Sequence, residues 1–362
     1  MVPLKDYFLG NKETSTPNMT SSQKCIRTID IDIIGDTDRH LSFFEMLGNF
    51  SVGKYFKKEA IEYSYHYITE ILNIDKDLLW FTVYKDDDEA YKIWKDIIGV
   101  SPDRIQRGDK DNFWHMNIPG PCGPCSEIFI DRGSKYGEPG GPIGGGEDRF
   151  IEIWNLVFME SIQEAPFEIV EELPKKNIDT GMGLERIAMI MQDKDNLFDT
   201  DLFKPLYDEL NKNIDNSNSK YEKIIIDHIK SSTFMISDGV VPTNEGRGYI
   251  LRRLIRRAIR AYNQINNTPS SLDYLIGIVV KIYKNSYPEL STNKNKIIKL
   301  FTKEEELFQK TLNKGIQEIT TLIENNNTVS AKDAFYLFET LGFPFELTKE
   351  ISSENNLSLI HI

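Results

Sequence analysis

Residues 178 to 186 read Ile-Asp-Thr-Gly-Met-Gly-Leu-Glu-Arg, and this stretch decides how the first half of the chain folds. Its two glycines let the backbone approach a ligand or a neighbouring helix closely. Apolar residues then recur at helical spacing, at Leu184, Ile187, Ala188 and Met191. The pattern predicts a strand, a turn and a helix whose apolar stripe faces the core. Asp179 could hold an ammonium group and Arg186 could face an anion, although a plain strand-to-helix turn with a surface arginine gives the same pattern.

The character of the sequence changes near residue 200. Before that point, short apolar runs such as 79–84 and 150–158 alternate with turn-rich stretches, which is typical of strands and loops with some helix. The Gly- and Pro-rich run 133–146 predicts a long surface loop. After residue 200 the pattern is helical and includes an amphipathic helix over 299–325. We therefore expect two domains, of which the second is mostly helical.

The composition is that of a globular protein with more than one compact unit. The chain has 362 residues, of which 40% are hydrophobic and 27% are charged. Its net charge of −13 argues against a protein that coats nucleic acid indiscriminately, but it allows one local basic surface. The first residues lack the features of a secretory signal, and no stretch approaches the ~20 apolar residues of a membrane span. We expect a cytoplasmic protein that does not enter a membrane.

The chain has three cysteines, Cys25, Cys122 and Cys125, which are too few for a disulfide framework and favour a reducing compartment. The Cys122-Gly-Pro-Cys125 run has a spacing at which two thiols can share a metal ion. No second cysteine pair or His-rich segment supplies the remaining ligands, and the flanking glycines and prolines suit a shaped loop. We therefore expect no zinc in this portion, and a zinc-dependent enzyme is the minor alternative.

A strongly basic stretch lies in the second half of the chain. Six arginines and no acidic residue occur between Arg247 and Arg260. Apolar residues in the same stretch recur at helical spacing, which predicts a helix with an apolar stripe and a basic side. Because the chain as a whole is acidic, this asymmetry favours a phosphate-binding face. A solvated basic helix is the alternative.

Four distinctive blocks follow one another along the chain. They are Gln-Lys-Cys-Ile-Arg at 23–27, Phe-Phe-Glu-Met-Leu-Gly-Asn-Phe at 43–50, Gly-Pro-Cys-Gly-Pro-Cys at 120–125 and the block that ends at Arg186. This ordered set resembles the alanyl-tRNA synthetases, a family of class II aminoacyl-tRNA synthetases, and the resemblance runs from Met1 to about Glu350. It implies an α+β fold, in which an antiparallel sheet flanked by helices is followed by a mostly helical domain.

The resemblance implies a ligase that activates alanine with ATP and Mg²⁺ and transfers it to the 3′ end of tRNA(Ala). Such chemistry depends mainly on positioning and on neutralising charge in the transition state. In the family pattern Arg27 contacts the α-phosphate, and Arg186 reaches the γ-phosphate and the adenine. These two arginines are the expected catalytic residues. His40, Phe44 and Met46 would line the ATP pocket with them.

The family pattern also places five residues around alanine, namely Trp114, Asn155, Val157, Asp179 and Gly181. Asp179 would pair with the ammonium group, and Gly181 would leave room for the substrate. Such a pocket discriminates by size, which separates close analogues by only ~1–3 kcal/mol. We therefore expect some activation of glycine or serine and a separate editing activity.

Glu152 resembles a Mg²⁺ ligand of the same class. Side chains alternate between the faces of a strand, so Asn155 and Val157 are expected on one face of the run 150–158. The same alternation assigns Glu152 to the opposite face. The sequence alone therefore gives conflicting indications about this residue.

The predicted tRNA-binding residues lie in and beyond the basic stretch. They are Asn244, Arg247, Arg252, Arg256 and Glu339. Asn244 matches the asparagine that reads a wobble pair in the acceptor stem. Glu339 stands where the family pattern has an aspartate that reads the same pair, and the added methylene moves the carboxylate by more than ~1 Å, which is large for a hydrogen bond. We expect altered or weakened recognition of this pair.

The expected domains are a catalytic domain over 1–200, without the N-terminal part of the family pattern, and a shortened acceptor-stem recognition domain over 201–362. The family's editing and C-terminal domains are not expected in this sequence. The main alternative function is a non-catalytic tRNA-binding or regulatory fragment of the same family. The sequence leaves the oligomeric state open, and it leaves an organellar location open as well.

Overall fold

The computed structural model describes residues 2–267, 270–326, 328–355 and 357, and these form two compact units. The first unit contains residues 2–25 and 44–197, and the second contains residues 26–43 and the described residues from 198 onward. A single boundary near residue 200 was expected. The first unit does end at that point, but the 26–43 segment belongs with the helical unit.

The first unit is built on a sheet of eight strands in the described part of the chain. The strands are β1 (Asn18–Ile26), β2 (Phe43–Val52), β3 (Leu79–Tyr84), β4 (Ile105–Gly108), β5 (Phe113–Trp114), β6 (Gly120–Asp131), β7 (Phe150–Ala165) and β8 (Glu168–Gly183). Their order is β1-β2-β8-β7-β6-β3-β4, with β5 paired to β6. The central pairs are antiparallel, and β3 with β4 is parallel. The predicted α+β fold on an antiparallel sheet is confirmed.

The helices of the first unit pack on both faces of this sheet. They are α1 (Lys5–Phe8), α2 (Lys57–His66), α3 (Asp88–Lys92) and α4 (Leu184–Met191). Leu156 and Phe158 of β7 join a large core cluster with residues of α2 and α3, whereas Val157 and Met159 join a smaller cluster. This division follows from the alternation of side chains along a strand. The face that carries Val157 is packed against Phe8 of α1, whereas α2 and α3 pack on the other face.

The second unit is helical. Its helices are α5 (Lys204–Asn211), α6 (Ser219–Ser237), α7 (Gly246–Ile265), α8 (Asp273–Tyr283), α9 (Glu289–Asn326), α10 (Ala331–Glu339) and α11 (Phe345–Glu354). The predicted helix over 299–325 is the greater part of α9. Nearly every residue of α6 is buried, including Asp227, His228 and Lys230, which is typical of a central helix. No helix in the described residues combines the length and apolar character needed to cross a membrane.

The Gly-Pro-Cys-Gly-Pro-Cys block is a strand, not the loop that its composition suggested. It opens β6, and the pairing register with β7 shifts between Cys122 and Cys125. At Gly123 the two strands lie so close that a Cβ atom would stand 1.9 Å from the carbonyl oxygen of Phe158. The glycine is therefore required by this close approach. Tertiary pairing has overridden the local preference of the block for a loop.

The buried face of α4 also differs from the predicted stripe. Met191 is 51% exposed, whereas Glu185, Ile187 and Met189 are buried. The helix begins directly where β8 ends at Gly183, so the strand fixes its rotation. One of these buried side chains is Glu185, whose carboxylate accepts a hydrogen bond from the backbone N–H of Glu45.

We predict that Gly123→Ala destabilises the protein by about 3 kcal/mol or more, because backbone atoms must move to admit the methyl group. Gly277→Ala is the matched control, since a Cβ there would come no closer than 3.7 Å to the side chain of Lys294. Within α8 the control should raise stability by up to about 1 kcal/mol. Urea denaturation measures the free energy of unfolding of both variants. Equal stability of the two variants would contradict the close approach described for Gly123.

Candidate functional site

The candidate site of the first unit is a patch on two neighbouring strands. Val157 of β7 lies directly opposite Asp179 of β8, and Asn155 lies opposite Gly181. Opposed residues of antiparallel strands have Cβ atoms roughly 4.5–5.5 Å apart, and residues two apart on a strand share a face. The structure therefore brings together the residues of these two strands that the sequence assigned to alanine.

Two further side chains border the patch. Trp114 of β5 packs in the same apolar cluster as Val157. Met46 of β2 lies so close to Gly181 that a Cβ atom there would stand 2.7 Å from the Met46 sulfur. The space that the glycine leaves is thus taken up by the thioether. The sequence assigned Met46 to the ATP pocket, and the structure places it beside the alanine residues.

Asp179 stands among apolar neighbours. Its cross-strand partners are Phe50 on β2 and Val157 on β7, and both are buried. Burial raises the pKa of the Asp179 carboxyl group above its usual value. An opposite charge placed against a desolvated carboxylate favours its ionised form. The position is therefore suited to a cationic ligand group such as an ammonium.

Glu127 is a member of the site that the sequence analysis did not assign. It lies on β6 directly opposite Asn155. Its carboxylate accepts hydrogen bonds from Thr82 Oγ1 at 3.1 Å, from Asn112 Nδ2 at 3.2 Å and from Asn155 Nδ2 at 3.1 Å. Burial, together with the charge of Glu152, raises the pKa of Glu127 to about 8. Its position after the Cys125-Ser126 pair was visible in the sequence, but the register that sets it against Asn155 was not.

The contact with Glu127 fixes the orientation of the Asn155 amide. Because Nδ2 donates to the carboxylate, the other side of the amide presents Oδ1. This oxygen is buried and has no hydrogen-bond partner among the residues that the structure describes. A buried acceptor without a partner costs stability. A bound donor could therefore pair with Asn155 Oδ1, on the face of the sheet that also carries Asp179.

The alternation argument about Glu152 is wrong. On β6, Ile128 and Phe129 are consecutive, but their partners on β7 are Trp154 and Glu152. The extra residue on β7 is a β-bulge, which shifts the alternation by one position. As a result the charge of Glu152 acts on Glu127, opposite Asn155. Glu152 Oε2 is also 3.2 Å from Arg186 Nη1, so the structure brings these two predicted residues together.

Glu152 is a single carboxylate beside Arg186 and is the candidate Mg²⁺ ligand. Among the described residues no cluster of three or more His, Cys, Asp or Glu side chains is arranged to hold a metal ion. Mg²⁺ usually keeps several waters and is held by one or two protein carboxylates together with phosphate oxygens. The Glu152 carboxylate is 35% exposed and could supply such a ligand. A resident metal centre would need more protein ligands.

The two cysteines of β6 are buried thiols. Burial raises the pKa of Cys122 to about 11, and it raises the pKa of Cys125 well above its usual value. Metal ligation by cysteine requires the thiolate. Desolvation therefore opposes the zinc interpretation of this pair.

The remaining predicted ATP residues fall in different units. Arg27 and His40 belong to the 26–43 segment of the second unit, whereas Phe44 lies on β2 in the first. The Arg27 backbone N–H donates to the carbonyl oxygen of Ser42 at 2.9 Å, and its side chain is 49% exposed. His40 Nδ1 is 2.9 Å from Thr37 Oγ1. The structure thus holds both residues on one segment of the helical unit.

A cleft of about 490 Å³ lies within the second unit. Its walls bring together four of the predicted tRNA-binding residues, Asn244, Arg252, Arg256 and Glu339. Arg252 Nη1 donates to Asn244 Oδ1. Tyr249 and Phe338 add aromatic surface. Arg247, the fifth predicted residue, is exposed but does not line this cleft.

The predicted basic side of α7 is only partly exposed. Arg256, Arg257 and Arg260 are buried, with exposures of 7%, 7% and 3%. Arg256 Nε donates to Glu304 at 2.7 Å, and Arg260 forms ion pairs with acidic residues of α11. These acids lie far away in sequence, so the local absence of acidic residues did not reveal them. Most of the arginines of α7 bind other parts of the protein instead of presenting charge to a ligand.

The pKa of Glu127 leads to a prediction about stability. The pKa of the Glu127 carboxyl group is 4.5 in its ordinary state and about 8 in the folded protein. Between these two pH values the folded protein keeps a proton that the unfolded chain has lost. Stability should therefore fall as the pH rises through this window. We predict that the gain in melting temperature of Glu127→Gln over wild type grows from about pH 5 to about pH 8. Melting temperatures are measured in buffer that contains a chelator, with the exposed Glu324→Gln as control. A gain in melting temperature that does not change with pH would contradict the raised pKa of Glu127.

The comparisons with known proteins agree with this geometry. The family model of the class II tRNA synthetases (A) matches residues 1–361. The alanine–tRNA ligase of Fusobacterium nucleatum is 47% identical over an alignment of 375 positions, which covers 99% of this chain and 43% of that protein. The alanine–tRNA ligases of Corynebacterium glutamicum strain R and Natranaerobius thermophilus are both 45% identical, again over 99% of this chain, and 43% and 42% of their own lengths are covered.

The chain therefore spans less than half the length of these curated relatives. Within that span, the family match is continuous from the first strands of the sheet to the last helices of the second unit. A match of this extent shows that the chain belongs to the class II tRNA synthetases (A).

Proposed function

We propose that this protein is an alanine–tRNA ligase, which forms alanyl-adenylate from alanine and ATP and transfers the alanyl group to the 3′ end of tRNA(Ala). The observation that carries the proposal is the patch in which Asn155 and Val157 stand opposite Gly181 and Asp179. The activity named for the relatives adds support. The ligands would be L-alanine, ATP with Mg²⁺, and tRNA(Ala), and the setting would be the cytoplasm.

The patch is suited to a small amino acid. The ammonium group would lie against the Asp179 carboxylate and Asn155 Oδ1, both of which are hydrogen-bond acceptors. The side chain would face Val157 and Met46, which leave little space above Gly181. A larger amino acid would collide with these groups. Smaller ones such as glycine would lose only part of the contact, because a methyl group contributes ~1–3 kcal/mol to discrimination.

The activation step joins a carboxylate oxygen of alanine to the α-phosphorus of ATP and releases pyrophosphate. No proton transfer is needed in this step, so the protein contributes position and positive charge. Arg27 would neutralise charge on the α-phosphate, and Arg186 would bind the outer phosphates. Mg²⁺, when bound, would supply further positive charge to the phosphates. Glu152 would hold both Arg186 and that ion, since one carboxylate oxygen already pairs with the guanidinium.

The cleft of the second unit is proposed to receive the acceptor stem. Asn244 and Glu339 line it together, which supports a joint role in contacting one base pair. Arg252 lies beside Asn244 and would contact the backbone, while the buried Arg256 would support the wall of the cleft. Arg247 would reach phosphates outside the cleft.

A non-catalytic tRNA-binding protein is the second candidate, and one observation favours it. Glu339 departs from the aspartate of the family pattern at a position that lines the cleft. A protein that only binds RNA would keep the cleft but show no alanine-dependent chemistry. Activation assays therefore separate the two candidates.

We predict alanine-dependent exchange of pyrophosphate into ATP by the wild-type protein. Arg186→Ala should reduce the rate by a factor on the order of 10² or more, because a charge that stabilises the transition state is lost. Arg107→Ala is the control, since Arg107 is an exposed arginine that pairs with Asp88 on the surface of the same unit. Absence of exchange in folded wild-type protein would reject the ligase. Undiminished exchange in Arg186→Ala would reject the role of this arginine.

The cleft gives a prediction about RNA selectivity. Glu339→Asp should raise the preference for acceptor-stem minihelices with a wobble pair over those with a Watson-Crick pair by roughly tenfold, the effect of about one hydrogen bond. The measurement compares aminoacylation of the two minihelices. Glu324→Asp, an exposed change on α9, is the control. A preference that Glu339→Asp leaves unchanged would mean that this carboxylate does not read the pair.

A further inference from the structure

A buried set of hydrogen bonds fastens the end of the 26–43 segment to α6. The Ser42 backbone N–H donates to Asp227 Oδ1 at 2.9 Å, and the Ser42 hydroxyl donates to Asp227 Oδ2. The same hydroxyl lies 2.8 Å from Ser231 Oγ. Ser42, Asp227 and Ser231 are all at most 1% exposed. Hydrogen bonds to a buried carboxylate are stronger than those between neutral groups.

A second set of bonds continues from Asp227 to the start of the segment. His228 Nδ1 lies 2.8 Å from Asp227 Oδ2, and Arg257 Nη1 lies 3.0 Å from His228 Nε2. Burial lowers the pKa of His228, so its ring is neutral. An arginine can only donate, so Nε2 accepts and Nδ1–H donates to Asp227. Arg257 also donates to the carbonyl oxygen of Ile31, so this second set of hydrogen bonds ends on the 26–43 segment.

The rim of the segment is fastened less strongly. Lys220 pairs with Asp36 at 2.7 Å, and these side chains are about half exposed. Arg253 pairs with Asp32, whose side chain is 70% exposed. Exposed ion pairs contribute only ~0–1 kcal/mol each. The path through Asp227, His228 and Arg257 is by contrast buried along its length.

This path reaches one of the proposed ATP residues directly. The carbonyl oxygen of Ser42 accepts from the backbone N–H of Arg27, while the N–H of Ser42 donates to Asp227. One residue thus links the carboxylate on α6 to the backbone of Arg27. His40 is two positions before Ser42 on the same segment. Arg253 and Arg257 of α7 and Asp227 of α6 all contact this segment.

We propose that Asp227 is a positioning residue for ATP, which holds the 26–43 segment in the conformation that presents Arg27 and His40. The inference rests on the proposed function, because that function assigns Arg27 and His40 to the nucleotide. A segment fixed in its binding conformation loses less conformational freedom when the ligand binds. Loss of the carboxylate should therefore weaken ATP binding and leave alanine binding unchanged, since the alanine residues lie on strands of the sheet.

The test compares Asp227→Ala and Asp227→Asn with the control Ser232→Ala. Ser232 is a buried residue of the same helix whose hydroxyl has no hydrogen-bond partner in the described part of the structure. In pyrophosphate exchange, Asp227→Ala should raise the KM for ATP about tenfold, the effect of losing a charge-assisted hydrogen bond, with the KM for alanine within about twofold of wild type. Asp227→Asn should be intermediate, because its amide oxygen can still accept from Ser42. The control should resemble wild type.

Hydrogen exchange and calorimetry provide readouts that do not depend on alanine. Backbone amides of residues 28–41 should exchange faster in Asp227→Ala than in Ser232→Ala, and calorimetric titration with ATP alone should show the lower affinity. If Asp227→Ala does not fold, Ser42→Ala replaces it, because it removes the hydroxyl and keeps the backbone bond. An unchanged KM for ATP, or equal losses for ATP and alanine, would overturn the positioning role. Wild-type protein that binds ATP but shows no exchange would instead reject the proposed function, and the binding data would still decide the role of Asp227.

Discussion

The site depends on the register in which β7 pairs with β8. That register sets Val157 against Asp179 and Asn155 against Gly181, and β2 adds Phe50 and Met46 from the other side of β8. A slip of β7 by one residue would turn Asn155 and Val157 to the face opposite Asp179 and Gly181. The large core cluster between the sheet and α2 prevents such a slip, because it requires Leu156 and Phe158 on its own face.

Two buried carboxylates of this protein contact residues that are proposed to take part in ligand binding. Glu127 orients the amide of Asn155, and Asp227 holds Ser42 next to the backbone of Arg27. A buried charge is expensive unless hydrogen bonds compensate it. Both carboxylates accept several hydrogen bonds. One donor to Glu127 is Asn155, which is proposed to bind alanine. Two donors to Asp227 belong to Ser42, whose carbonyl oxygen accepts from the backbone of Arg27. The hydrogen bonds that offset the free-energy cost of burying each carboxylate therefore also orient residues that are proposed to take part in ligand binding.

Much of the fold could be predicted from local pattern. The change to helices near residue 200 and the helix within α9 follow from hydrophobic periodicity. Two local predictions were wrong because residues outside each segment decided the outcome. The Gly-Pro-Cys-Gly-Pro-Cys block became part of β6 by pairing with β7, and the buried face of α4 was set by the strand before it. The arginines of α7 were misjudged for the same reason, since their partners lie on α9, on α11 and in the 26–43 segment.

The sequence by itself determined which residues are available for chemistry. The order of the blocks around Arg27, Trp114, Asn155 and Asp179 carries the resemblance from which a two-ligand site is proposed, and an acidic residue is suited to an ammonium group. Only the tertiary structure decided that Glu152 acts on the same side as Asn155, that Glu127 belongs to the site, and that Arg27 and His40 are carried by the helical unit. Residue types specify what a group can bind, whereas a bulge, a strand register or a long-range hydrogen bond specifies where it points, and these depend on residues far apart in the chain.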